Sequence, residues 1–355
     1  MKLTHKYIFL TACTLLGTGF VYLLFSLSEN IVQYHNTFIR RFPQHLANPD
    51  RELDLKFNSY YFAGSDTSKI YLGNITAPLQ ITQIDTSFQH KQSNKIDLKE
   101  KNLPFQSPQI RVQTPYFYLF EGTIPYVFKG STKDWNGYLQ WTSGTYFSQV
   151  EPIDSCRLAV RFLAPKTSEN LLGTLNLETK TEGFGKKLLL KQLDGVFDTD
   201  GSLHYNNTLQ RLVYVHRYRN EFVVADPNLS LQYRGNTIDT VSHAHLKFSK
   251  INDGTVKTFS EPPLIVNKTS TTNGKYLFVH SALPGQYESM DMWKQASIID
   301  VYDLTQKSYL ASFYIYHDKG KSMRSFIVKG HYVYVLIGSK LIRYKLRNDI
   351  IKPYN

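Results

Sequence analysis

Apolar and polar positions divide the chain into two unlike parts. Tyr7–Leu27 reads YIFLTACTLLGTGFVYLLFSL, 21 residues without a formal charge. About 20 apolar residues cross a bilayer as a helix, and the Thr and Ser hydroxyls in the run can bond back to helix carbonyls. After residue 45 no helical period is sustained. Short aromatic and β-branched runs replace it: SYYFAG (59–64), PYFYLF (115–120), CRLAVRF (156–162), RLVYVHRY (211–218), KYLFVHS (275–281) and HYVYVLIG (331–338). Such side chains fit a pleated sheet surface, so each run predicts a strand. A turn and another strand follow each one, often with Asp at the turn, as in VVADPNLSLQYRG and IDVYDLTQKSYLASF. Asp there bonds its own backbone two residues on and fixes the reversal.

The runs start 56, 41, 55, 64 and 56 residues apart. A multi-stranded unit recurring near this period cannot bury both faces alone, and radial stacking buries them against one another. On these runs residues 52–347 resemble the β-propeller superfamily. The resemblance lies in the rhythm, without the paired Gly-His and Trp-Asp motif of the WD type. It implies an all-β β-propeller whose six runs are inner strands of six blades, the two widest gaps leaving room for a seventh. It also implies ring closure between 52–64 and the last strands at 331–347. The expected organisation is a cytoplasmic tail (1–6), a transmembrane signal anchor (7–27), a stem (28–51), the propeller (52–347) and a C-terminal tail (348–355). In the stem, Ile31, Tyr34 and Phe38 can form one amphipathic turn.

Two other fates of the N-terminus compete with the anchor. Leu10-Thr11-Ala12-Cys13 resembles a bacterial lipobox, but only four apolar residues precede it and the apolar run continues past Cys13. A cleaved signal peptide has a shorter apolar region and a small-x-small site, and no clean site follows the run. Lys2 and Lys6 lie tight against one end of the run, while Arg40 and Arg41 lie about 13 residues past the other. That bias favours an inside N-terminus and an outside body.

Composition sharpens this picture. Of 355 residues, 14% are aromatic, with 25 Tyr and 22 Phe, which favours strands over helices. The two cysteines, Cys13 and Cys156, exclude a disulfide scaffold and a Cys-rich zinc module. So few cysteines fit a bacterial periplasm better than a disulfide-forming secretory lumen. Cys156, in SCRLAV, is expected as a small buried strand residue. The net charge of +12 is diffuse, with no block of like charges. It fits attraction to anionic lipid or polymer surfaces, and nucleic acid is not expected as a partner.

Candidate chemistry falls in four places. Asp194, Asp198 and Asp200 lie in LDGVFDTDG, where hard oxygens at close spacing could hold Ca²⁺ or another divalent metal. Asp198-Thr199-Asp200 also matches the DxD pattern of glycosyltransferases, and a tight Asp-Gly turn is the plainer reading. His243 and His245, two apart in VSHAHLKF, would face one side of a strand as a metal pair does. His216, Arg217, Arg219 and Asn220 cluster near the end of a strong strand, where a guanidinium could hold a carboxylate or phosphate. Trp135, Trp141 and Trp293, the last in a long loop with Met290 and Met292, could stack on a ligand or pack within the body.

The functional expectation is a membrane-anchored, extracytoplasmic binding or scaffolding module in the cytoplasmic membrane, with a protein or envelope polymer as partner. A propeller-bodied enzyme of hydrolase, lactonase or quinoprotein type would instead use inward-facing Asp, His or Arg at the central channel. A type II glycosyltransferase is the third reading.

Overall fold

The computed structural model describes residues 2–32, 36–100, 104–142, 144–251 and 256–352. Tyr34 of the expected stem turn and residues 353–355 of the expected tail lie outside them. Helix α1 (Lys2–Val32) contains the apolar segment His5–Ser26, long and apolar enough to cross a membrane.

Strand β1 (Ala47–Asp54) opens the body. Antiparallel four-stranded meanders follow. The first is β2 (Tyr60–Ser65), β3 (Lys69–Asn74), β4 (Gln80–Asp85) and β5 (Lys91–Lys95). After β6 (Asp97–Leu98) comes β7 (Gln109–Gln113), β8 (Tyr116–Glu121), β9 (Tyr126–Ser131) and β10 (Asn136–Thr142). The third is β11 (Phe147–Pro152), β12 (Arg157–Leu163), β13 (Asn170–Asn176) and β14 (Thr181–Gly185). The fourth is β15 (Gly201–Asn206), β16 (Arg211–His216), β17 (Glu221–Ala225) and β18 (Leu231–Asn236). A hairpin, β19 (Phe248–Ile251) and β20 (Val256–Phe259), then interrupts the pattern. The fifth is β21 (Asn267–Asn273), β22 (Tyr276–Ser281), β23 (Ala296–Asp303) and β24 (Ser308–Tyr316), with α2 (Met290–Gln295) between β22 and β23. Last come β25 (Met323–Lys329), β26 (Tyr332–Ile337) and β27 (Lys340–Leu346), and β1 is their fourth strand.

That last pairing ties the two ends of the body together. It runs from Ala47↔Leu346 to Asp54↔Lys340, so it begins inside the segment expected to be stem. The first strands neighbour one another in the order β2, β7, β11, β15, β21, β25 and again β2, which stands the sheets around a nearly closed ring. At Gly64↔Val112 the approach is so close that β2 and β7 pair in parallel and two meanders merge into one nine-stranded sheet. A Cβ on Gly64 would sit 2.1 Å from the Val112 carbonyl oxygen, so only glycine fits there.

Apolar layers fill the gaps between neighbouring sheets. Tyr71, Ile81, Ile110 and Phe128 pack between the first two meanders, and Val213, Phe222, Leu277 and Tyr302 between the fourth and fifth. Leu72, Tyr60, Tyr334 and Leu341 close the circle between last and first. A strand covered on both faces reads as a continuous apolar run rather than an alternating one. This explains which strands the sequence announces. All but SYYFAG of the six runs are second strands (β8, β12, β16, β22, β26), not the innermost ones. The first strands line the ring's centre and carry polar residues, as in GSLHYN and NKTSTTN.

Alternation of direction gives the ring two ends. The turn end holds the links from first to second and third to fourth strands, two to five residues each. The loop end holds the remaining connections, including 96–108, 186–200, 237–266 and 282–295. Cys156 lies half-buried in the turn before β12 and not within the strand, because Asp154 caps that turn through the Cys156 and Arg157 N–H groups.

Candidate functional site

The centre of the ring is a cavity of about 480 Å³. Consecutive first strands each contribute a polar side chain to its wall: Arg111 from β7, Glu151 from β11, His204 from β15 and Ser270 from β21. Arg111 Nε donates to Glu151 Oε1 at 3.0 Å. His204 Nε2 and Ser270 Oγ are 2.7 Å apart. Burial pushes the Glu151 carboxyl above its ordinary range, outweighing the pull of Arg111. Burial, then the Arg111 charge, lowers His204 to about 3, so its imidazole is neutral at physiological pH. Thr269 Oγ1, also on the wall, is buried without a protein partner among the described residues. Such a group is satisfied by water or by a bound solute. The cavity thus offers one ion pair, one neutral imidazole and several hydroxyls. A larger groove of about 830 Å³ lies by β14 and β18, lined by Arg157, Thr174, Asn176 and Glu182 among others.

The residues singled out in the sequence sit elsewhere, at the loop end. Arg219 is 0% exposed, and its guanidinium is fully occupied. It donates to Glu221 Oε2 (3.0 Å), the Asp198 carbonyl (3.1 Å) and the Leu190 carbonyl (2.9 Å), and lies 2.9 Å from His216 Nε2. Since arginine only donates, His216 accepts through Nε2 and its proton is on Nδ1. Burial, then the Arg219 charge, holds His216 well below its ordinary pKa. Asn220 donates to the Asp239 carbonyl at 2.6 Å. Arg217 is half-buried, and its backbone links the Asp200 carbonyl to the N–H groups of Val266 and Asn267. These four residues are close together in the chain, and through side-chain and backbone bonds they tie loops 186–200 and 237–266 to β16 and β17.

The acidic loop is organised the same way. Asp198 is buried and accepts from the backbone N–H groups of Gln192, Leu193, Asp194 and Gly195. Those bonds hold its pKa low against a burial effect that alone would raise it. Asp194 Oδ1 accepts from Val196 and Phe197, and Asp200 pairs with Arg161 at 2.6 Å. Asp194 and Asp198 thus cap their own loop, with Gly195 in the left-handed region at φ 78°, and Asp200 is held by Arg161 of β12. His243 and His245 are exposed in an irregular segment and not on a strand, because Gln192 bonds the backbone at Ser242 and Ala244. Among the described residues, no three His, Cys, Asp or Glu side chains converge on a metal position. Trp135 and Trp141 are buried.

Trp293 belongs to a network that sequence reasoning missed. Arg40, in the segment expected to be stem, reaches into the fifth meander, where its Nε meets Asp300 Oδ1 at 2.7 Å, and Nη1 meets Glu288 Oε1 at 2.8 Å. Nη2 donates to Ser281 Oγ at 2.8 Å, and Trp293 Nε1 donates to the other Glu288 oxygen. The rings of Phe38 and Trp293 cover the guanidinium. Below it, Phe42 stacks on Tyr314 at 4.4 Å. Nothing local around Arg40 announces partners some 250 residues away. The channel residues were missed for a different reason: a polar residue in a first strand looks like an ordinary exposed strand position. A propeller-bodied enzyme is expected to carry inward-facing Asp, His or Arg at the central channel; Arg111, Glu151 and His204 lie on its wall.

No family model matches the chain, and no curated protein does. Solved structures are similar to it to different degrees. A member of the duf4221 family from Bacteroides vulgatus superposes with a TM-score of 0.52 at 13% identity, over 86% of this chain and 99% of that one. A structural genomics protein of unknown function from Bacteroides thetaiotaomicron gives 0.48 at 11% identity, over 89% and 76%. A nidogen/laminin complex gives 0.45 at 10% identity, over 72% and 81%. The first of these likenesses supports an all-β, propeller-like fold.

Proposed function

We propose that the chain is a membrane-tethered binding module whose body is a β-propeller of six blades, held outside the cytoplasmic membrane by α1, with its ligand site in the central channel. The convergence of Arg111, Glu151, His204 and Ser270 on one cavity carries this reading. The blade number rests on the order of first strands around the ring and on the apolar layers between neighbouring sheets. Orientation rests on Lys2 and Lys6 before the span. A cavity with one internal ion pair and several hydroxyls suits a neutral, hydroxyl- or amide-bearing solute, such as an end of an envelope polymer, better than an ion.

The test is a thermal-shift screen of the full chain in detergent micelles against sugars and short peptides. A compound that raises Tm in the wild type, and fails to do so in an Arg111→Ala/Glu151→Ala double variant, supports the channel site. Compounds that stabilise both proteins equally move the site elsewhere. A second reading, a propeller-bodied hydrolase, draws on Glu151, whose raised pKa suits a general acid. Turnover that disappears in Glu151→Gln while binding persists would select it.

A further inference from the structure

We infer that the loop end of the ring lies flat against the bilayer that carries α1, with apolar loop tips entering the headgroup layer. This rests on the anchored reading above. The first observation is the length and landing point of the tether. Nine residues separate Ser26, the end of the apolar span, from Asn36. With α1 continuing to Val32, they reach about 23 Å at most. Asn36 Nδ2 donates to the Pro284 carbonyl, and the Phe38 carbonyl accepts from Gln286 N–H, so the chain lands on loop 282–295. Arg40 then locks the landing point into the body.

The second observation is where apolar surface is exposed. Phe57, Ile75, Leu190, Leu193, Tyr287 and Met290 are between 43% and 63% exposed, and all belong to loop-end connections. Among the described residues of the turn end, Leu231 alone is comparable. The six side chains come from loops distributed round the ring. A peptide in a groove would touch one or two of these loops, whereas a plane meets them together. Exposed lysines accompany them: Lys56 precedes Phe57, Lys191 lies between Leu190 and Leu193, and Lys186 and Lys187 lead the same loop. Apolar tips beside lysines are the composition that binds an anionic interface.

The experiment uses the full chain with Cys13→Ser and Cys156→Ser. Single cysteines are introduced as Phe57→Cys, Leu193→Cys, Tyr287→Cys and, at the turn end, Leu231→Cys. Each carries an environment-sensitive fluorophore, in phosphatidylcholine vesicles with and without phosphatidylglycerol. Circular dichroism confirms that each labelled chain is folded. Expected are a blue shift and several-fold stronger quenching by spin-labelled lipid at the three loop-end sites than at 231, increasing with phosphatidylglycerol. Chains that float with the vesicles but show equal quenching at all four sites overturn the inference and leave the anchor standing. Chains that do not float with the vesicles overturn the anchor, and the inference with it.

Discussion

At the turn end of the ring, one local device recurs. A side-chain oxygen of Asp66, Asp134, Asp154, Asn176, Asp226 or Asp303 accepts from backbone N–H groups two to four residues further on. Each hairpin is thus closed by its own sequence. At the loop end, local caps such as that of Asp198 are joined by long-range bonds: Arg40 with Asp300, Arg219 with the Leu190 carbonyl, and Asn267 with the His216 carbonyl. The clasps form within single hairpins, whereas these long-range loop-end bonds make a web that exists only when the ring has assembled. A clasp can be lost singly at small cost. In the web, removing one member leaves buried charges without partners.

The largest expected effect is at Arg40. Arg40→Ala leaves Asp300 and Glu288 uncompensated in a buried site, at about 3–5 kcal/mol. Equilibrium urea unfolding of the full chain measures it, and Arg40→Lys should not restore the loss, since an ammonium cannot span both carboxylates and Ser281. A cost under about 1 kcal/mol, as for an exposed pair, would show that the stem is not fixed to the body. Arg219→Ala comes next, at about 2–3 kcal/mol, because Glu221 keeps Arg234 as a partner while the buried Asp198 carbonyl and the half-buried Leu190 carbonyl lose their donor. A clear drop in Tm would confirm the structural role. Unchanged Tm with lost ligand binding would return Arg219 to the candidate sites.

Acid separates the buried histidines from the turn carboxylates along the pH axis. His204 and His280 are lowered to about 3, and His216 well below its ordinary value, in each case first by burial. Between the folded and unfolded pKa the unfolded chain binds more protons, so this stability is complete above about pH 6.5 and is lost as pH falls toward 3. Each histidine contributes a slope of up to about 1.4 kcal/mol per pH unit. The turn carboxylates of Asp66, Asp134, Asp154 and Asp303 are held below 3.8, and their contribution declines only as pH falls below that. Tm measured from pH 7 to 3 should therefore begin to fall near pH 6. A Tm flat down to pH 4.5 would mean that the histidines are not held neutral by burial. The smallest effect is expected at a single clasp: Asp154→Ala should cost about 1 kcal/mol, the value of one turn with its charged acceptor removed. A loss as large as that of Arg40→Ala would erase the distinction between the ends.

The sequence by itself determined the local features. The charge-free run set α1, the Asp turns set the hairpins, and the continuously apolar second strands set the spacing of the units. Each of these depends on a few neighbouring residues and on burial of both faces, which composition alone can announce. DGVFDTDG was legible as a turn at Asp194-Gly195. That its Asp198 is buried under four backbone donors was not. Only the tertiary structure decided that β1 completes the last sheet, that Arg40 meets Asp300, and that Arg111, Glu151, His204 and Ser270 share a cavity. Those contacts join residues far apart in the chain, and they form only where ring closure brings the first strands together. A polar residue in a first strand has the same local pattern whether it faces bulk solvent or a shared channel.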